Sequence, residues 1–273
     1  MNEKPILFNR EMILALHSGR KTQTRRIVKV RNETPPEWAT FGSEGHSLTS
    51  TGDARPTGSF YWSEEQTPGE PLKALRRWPI LPAKHPMAGD WYWTPSPYGK
   101  IGDRLWVREA WRVGKPHDQT RPRDILPRVL DRNQGVTVCY EAGGWRSVGP
   151  EGRDEPIYPN DKPMPDWAGK LRPSMFMPRA FSRTTLEVTS VCVERLQDIS
   201  EEDAEAEGVA RLSQASDYWR NYQTHTFGPN CDDYTCLSAR ESYRTLWDSI
   251  NEERGFGWDT NPWVWVVDFQ SAA

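Results

Sequence analysis

Apolar and polar positions alternate with a clear period in only six stretches of this chain. In residues 9–18 Met12, Ile13 and Leu16 share one face, Asn9 stands at the N-cap and Gly19 at C′, a spacing that predicts a short helix. The text GDRLWVREAW, 102–111, alternates strictly and predicts a strand with Leu105 and Val107 on a core face and Arg104, Trp106 and Arg108 on a cationic, aromatic face. A second strand is predicted over TTLEVTSVCVE, 184–194, with a bulge where its apolar positions change phase between Val188 and Val191. Ser200 opens SEEDAEAEG as the N-cap of a short acidic helix that Gly208 ends. Ser238 and Glu241 form a capping box for a helix whose apolar face is Tyr243, Leu246, Trp247 and Ile250. The closing run NPWVWVVDF predicts a buried strand.

Residues 31–97 and 112–180 show no sustained period and many prolines, and read as long insertions or ordered loops. The second ends in a basic arm, LRPSMFMPRAFSR, and a polar loop covers 210–236. No internal repeat is present. Scattered strands, short helices and long loops predict an α+β fold, a small, partly closed barrel with flanking short helices, in one domain over residues 1–273.

Composition agrees with short strands and long loops: 36% of the 273 residues are hydrophobic and 27% charged, with 23 prolines and 20 glycines. The 14 tryptophans are many for one chain, and each can fill a core or offer a flat face to a base. The N-terminal stretch mixes charges into its apolar residues, and no window approaches 18 consecutive apolar residues, so the expectation is a cytoplasmic protein without a membrane partner. Four cysteines give no disulfide framework. Cys231 and Cys236 make a C-x4-C pair with no second pair at zinc spacing, so neither metal nor cofactor is expected.

Charge singles out one segment. The formal net charge is -3, yet residues 20–31 carry six basic side chains and no acid, while residues 194–207 carry seven acids and one base. The stretch GRKTQTRR, 19–26, opens the basic run and follows a helix, so it reads as a turn. Either the two runs pair with each other or they form a phosphate-binding lip beside an acid-bearing pocket. Arg20, Arg25 and Arg26 disfavour the Lys21 ammonium, as a neutral-pH base requires, and Thr24 supplies a hydroxyl three residues away. Glu207 ends the acidic helix, where the macrodipole and the neighbouring acids Asp203 and Glu205 suit a general acid. A solvated, phosphate-binding turn and an ordinary exposed acidic helix are the simpler readings of the same residues.

The pattern Gly19-x-Lys21-x-x-Thr24-x-Arg26, the strand Gly102–Val107, the text LEVTSVCVERLQDISEEDAEAEG and the closing WVWVVDF resemble the ASCH domain. This is a PUA-like β-barrel family associated with RNA and modified nucleosides, and long insertions like these occur in members carried by bacteriophages and prophages. The resemblance spans about half the chain. Where the wider family commonly has an acid this chain has Thr24, as in the small bacterial ASCH enzymes that hydrolyse N4-acetylcytidine to cytidine and acetate. The resemblance implies Lys21 as proton acceptor, Thr24 as nucleophile and Glu207 as proton donor, with no metal. Arg26 would stabilise the oxyanion or anchor a phosphate. Trp106 and one of Trp263 or Trp265, flanked by Arg104 and Arg108, are candidates to stack on a base.

The expected activity is therefore amidohydrolysis of an acylated cytidine, free or in RNA. Three other readings stand beside it: a non-catalytic reader of a modified base that grips RNA with its basic segments, a ribonuclease, and a phage accessory protein whose insertions bind a host protein.

Overall fold

The structure is a computed structural model that describes residues 2–64, 69, 71, 78, 93–149, 164–213, 217–223 and 235–272. It is a mixed α+β fold, mostly sheet with few helices, and its described strands form open sheets rather than a closed barrel. Two compact units interleave along the chain. The first comprises 1–19, 104–187 and 271–273, and the second 20–103 and 188–270.

In the first unit, β1 (Glu3–Leu7) runs parallel to β6 (Arg104–Arg108), and β6 pairs antiparallel with the first three residues of β10 (Thr185–Arg195). Helix α1 (Arg10–His17) begins as read, with Asn9 Oδ1 accepting from Met12 N at 2.9 Å, and Gly19 takes the left-handed conformation (φ 76°) that ends it. The segment 112–180, read as an insertion without a clear period, carries α2 (Pro122–Leu130) and, with Trp111, a sheet of β7 (Trp111–Arg112), β8 (Val136–Tyr140) and β9 (Trp145–Val148). Trp111, Ile125, Val138 and Phe181 make its core. Pro122 and Pro127 hid α2: the first occupies the helix start, where a missing N–H costs nothing, and the second interrupts the pattern from within.

In the second unit, β2 (Gln23–Ile27) pairs antiparallel with β13 (Trp263–Ser271), which neighbours β10 in the sheet. The basic stretch thus enters a strand, where a turn was expected. One face of this sheet meets α3 (Glu201–Ala206) and α4 (Ala239–Asn251): Val264 and Val266 pack with Leu196, Tyr243 and Leu246, and Ile27 lies against the same cluster. The other face meets β4 (Ala54–Glu64), whose Phe60 and Trp62 pack edge-on to Trp265 and Trp263 at 4.9 and 5.5 Å. β4 is the middle of a three-stranded sheet with β3 (Ala39–Leu48) and β5 (Trp93–Pro95). That sheet lies within 31–97, so this segment too contributes core. Its strands show no sustained period in the sequence because the β3–β4 register shifts twice, between Phe41 and Ser43 and between Glu44 and His46.

In β10 the buried positions run Leu186, Val188, then Val191, Val193, the expected change of phase. Both remaining helices start at the caps read from sequence, Ser200 accepting from Asp203 N and Ser238 from Glu241 N.

Candidate active site

Helix α3 leaves its last carbonyls unpaired, and the basic stretch covers them. Thr22 N donates to Ala206 O at 2.8 Å, Lys21 Nζ to Glu207 O at 2.8 Å, and Arg20 Nη1 to Gly208 O at 3.3 Å. Gly208, with φ 91°, turns the chain away. Cations at a helix C-terminus also meet the negative end of its dipole, so the positive run is placed where α3 favours it.

Lys21 is only 2% exposed and uses all three ammonium hydrogens: Glu207 Oε2 at 2.6 Å, Gln23 O at 2.7 Å and Glu207 O. Glu207, 3% exposed, receives Tyr243 Oη at 3.4 Å on its other oxygen, and Arg25 Nη1 lies 3.8 Å from that oxygen. Arg25, equally buried, donates to Glu194 at 2.6 Å and Asp203 at 3.2 Å, and also to Gln23 Oε1. Gln23 Nε2 in turn donates to Asp203 at 2.9 Å and Asp268 at 2.7 Å. The basic and acidic runs therefore pair with each other in the interior. This decides the open question of the two runs, and the solvated turn is replaced by a buried ion network.

Burial sets the proton affinities here. It pulls the Lys21 ammonium below the ordinary lysine value of 10.5, against the opposing pull of the Glu207 carboxylate; Arg26 and Arg25 add to the lowering. The direction is the one expected from sequence, but desolvation, not the neighbouring cations, is its main cause. Burial and the Glu207 charge push the Tyr243 phenol well above 10.0, so it stays a donor.

Thr24 is fully buried, and its Oγ1 has no hydrogen-bond partner. Side chains alternate along β2, so Gln23, Arg25 and Ile27 face the helices while Thr24 and Arg26 face the aromatic layer. Their partners on β13 confirm it: Thr24 lies opposite Val267 and Arg26 opposite Trp265. Lys21 and Glu207 are thus brought together, whereas the Thr24 hydroxyl makes no bond to Lys21 and lies under the face that β4 covers. Trp265, 1% exposed, is core packing against Phe60. Arg104, Trp106 and Arg108 stand on β6 of the first unit, where Arg108 and Arg179 lie over the Trp106 ring at 4.4 and 5.9 Å and bury it.

The sequence placed Arg25 only as a charge near Lys21 and Tyr243 only on a helix's apolar face, and Gln23 did not stand out. The adjacent Arg25-Arg26 pair on a strand was the available signal, because alternation must send one of the two inward. Among the described residues no group of three His, Cys, Asp or Glu side chains gathers to hold a metal, and Cys231 lies outside them. No described helix is long and apolar enough to cross a membrane. No protein-family model, curated protein or solved structure matches the chain.

Proposed function

We propose that the chain is an amidohydrolase of the PUA-like ASCH type that removes the acyl group from N4-acetylcytidine or a related modified nucleoside. The observation that carries this reading is the desolvated Lys21–Glu207 contact of 2.6 Å, three residues along the chain from Thr24, whose buried hydroxyl has no partner. Moving one proton along that contact turns the ammonium–carboxylate pair into an amine and a carboxylic acid. A low-dielectric site favours this neutral pair relative to water. The same shift supplies both a base and an acid.

In the acylation step Lys21 takes the Thr24 proton, Thr24 Oγ1 bonds to the acetyl carbon, and Glu207 gives its proton to the departing N4 of cytosine. Water then attacks the ester. Its proton goes to Glu207, its hydroxyl completes acetic acid, and Thr24 recovers a proton from Lys21, which restores the starting pair. Hydrogen bonds of this kind are often open in an unliganded enzyme and close around substrate. Turnover also requires the buried Thr24 hydroxyl to become accessible to substrate.

Wild-type protein is expected to release cytidine from N4-acetylcytidine, separable by chromatography. Glu207→Gln, which keeps shape and hydrogen bonding, should lower the rate by about 10²–10⁴-fold. Cytidine release at the wild-type rate by that variant would remove Glu207 as the proton donor. A second reading, a binding protein that holds a modified base without chemistry, is favoured by the saturation of all three Lys21 hydrogens. It requires tight binding of the acetylated nucleoside with no cytidine formed.

A further inference from the structure

At the Ile27 end of β2, away from Lys21, the second unit contains a separate cavity of about 220 Å³. Its walls include Trp263, Phe256, Pro262, Arg195, Glu37 and Thr34. The sheet explains why these residues meet. Arg195 ends β10 and Trp263 begins the neighbouring β13, with Leu196 N donating to Pro262 O at 3.0 Å. The Arg195 guanidinium therefore lies over the Trp263 ring, 4.3 Å from its centroid. Its Nη1 donates to Asn261 O at 3.1 Å and it forms no ion pair among the described residues, so most of its five-donor fork is uncommitted.

The Gly255–Phe256 part of the lining is held by backbone bonds of its own. Gly255 takes φ 80°, Phe256 N donates to Asn251 O at 3.0 Å, and Phe256 O accepts from Trp247 Nε1 at 2.7 Å. Asn261, also left-handed, accepts from Gln197 N through its side chain at 2.9 Å. Lys29 Nζ sits 4.3 Å from the Phe256 centroid and adds a second cation beside the cavity.

A guanidinium with uncommitted donors, stacked on Trp263 in a cavity that Phe256 also lines, suits a flat ring bearing an anion, and Glu37 and Thr34 in the same lining offer acceptors for the ring's own N–H groups. The volume is below the 300–1,000 Å³ typical of larger ligands, so one base-sized unit fits. We infer that this cavity binds a nucleoside monophosphate unit, base against Phe256 and phosphate on Arg195, either as the free nucleotide or as one residue of a single-stranded RNA. The inference shares no residue with the Lys21–Glu207 site and stands or falls apart from it.

Titration calorimetry with cytidine monophosphate, cytidine and a short oligocytidylate tests it. The nucleotide should bind at least about tenfold more tightly than the nucleoside. Arg195→Gln should erase that difference, Arg195→Lys should keep part of it, and excess N4-acetylcytidine should not displace the nucleotide. Tighter binding of the oligonucleotide than of the mononucleotide, still dependent on Arg195, would identify RNA as the source, and the reverse order the free nucleotide. Equal affinity for nucleotide and nucleoside, binding unchanged in a folded Arg195→Gln variant, displacement by N4-acetylcytidine, or no binding of any probe would overturn it.

Discussion

Lys21 and Glu207 are worth more as a pair than their separate contributions. Each has left water almost completely, so removing one strands the other as a buried charge. Lys21→Met should therefore cost about 3–5 kcal/mol in denaturant unfolding. Adding Glu207→Gln to that variant should recover part of the loss, since no uncompensated charge then remains; additive losses would show that the two side chains do not interact. Asp203 behaves differently because it is only partly buried. Burial opposes its charge, but bonds from Gln23, Arg25 and Ser200 prevail and hold its carboxyl below 3.8. Below that value the unfolded chain binds a proton that the folded chain resists, so this contribution is present above about pH 4 and is lost as pH falls through the folded value. Asp203→Asn should accordingly flatten the acid limb of the stability profile, and an unchanged acid limb would place the sensitivity elsewhere.

Short elements with strong local signals aim the site, and these were the legible ones. Asn9, Ser200 and Ser238 cap three helices because a side-chain oxygen and a free N–H two or three residues on are all that the motif needs. Since α3 is six residues long and Glu207 follows it directly, the Ser200 cap fixes both ends at once. Ser200→Ala should cost about 1 kcal/mol and, by loosening α3, also lower turnover. A stability loss with turnover intact would show that Glu207 is held by Lys21 and Tyr243 alone. Strands with long-range partners were less legible. β2 reads as a basic turn because its inward positions are Gln23 and Arg25, and only acids distant in sequence make them interior residues. Trp106 shows the opposite limit: alternation put it on the cationic face, yet it could not show that Arg108 and Arg179 would cover the ring.

Across the whole chain, the α+β class and the segments carrying the strongest periods were legible, whereas the division into two interleaved units was not. Interleaving depends on pairings between distant segments, and the prolines and register shifts of 31–97 and 112–180 mask the strands and helix that make them. The pairing of residues 20–26 with 194–207 was one of two readings that their complementary charge allowed. What charge could not reveal is that Lys21, Arg25 and Glu207 lie inside, with Glu194 and Asp203 at the partly exposed rim, and that Thr24 turns to the other face of the strand. That residue separates the chemical account from simple packing, through N4-acetylcytidine turnover by Thr24→Ser and Thr24→Val side by side. A nucleophilic Thr24 predicts that serine, which keeps the hydroxyl, retains turnover, while valine, which keeps the volume, loses it even though removing an unpaired buried hydroxyl leaves the fold as stable or more so. Turnover kept by valine and lost by serine would contradict the account and make Thr24 a packing residue.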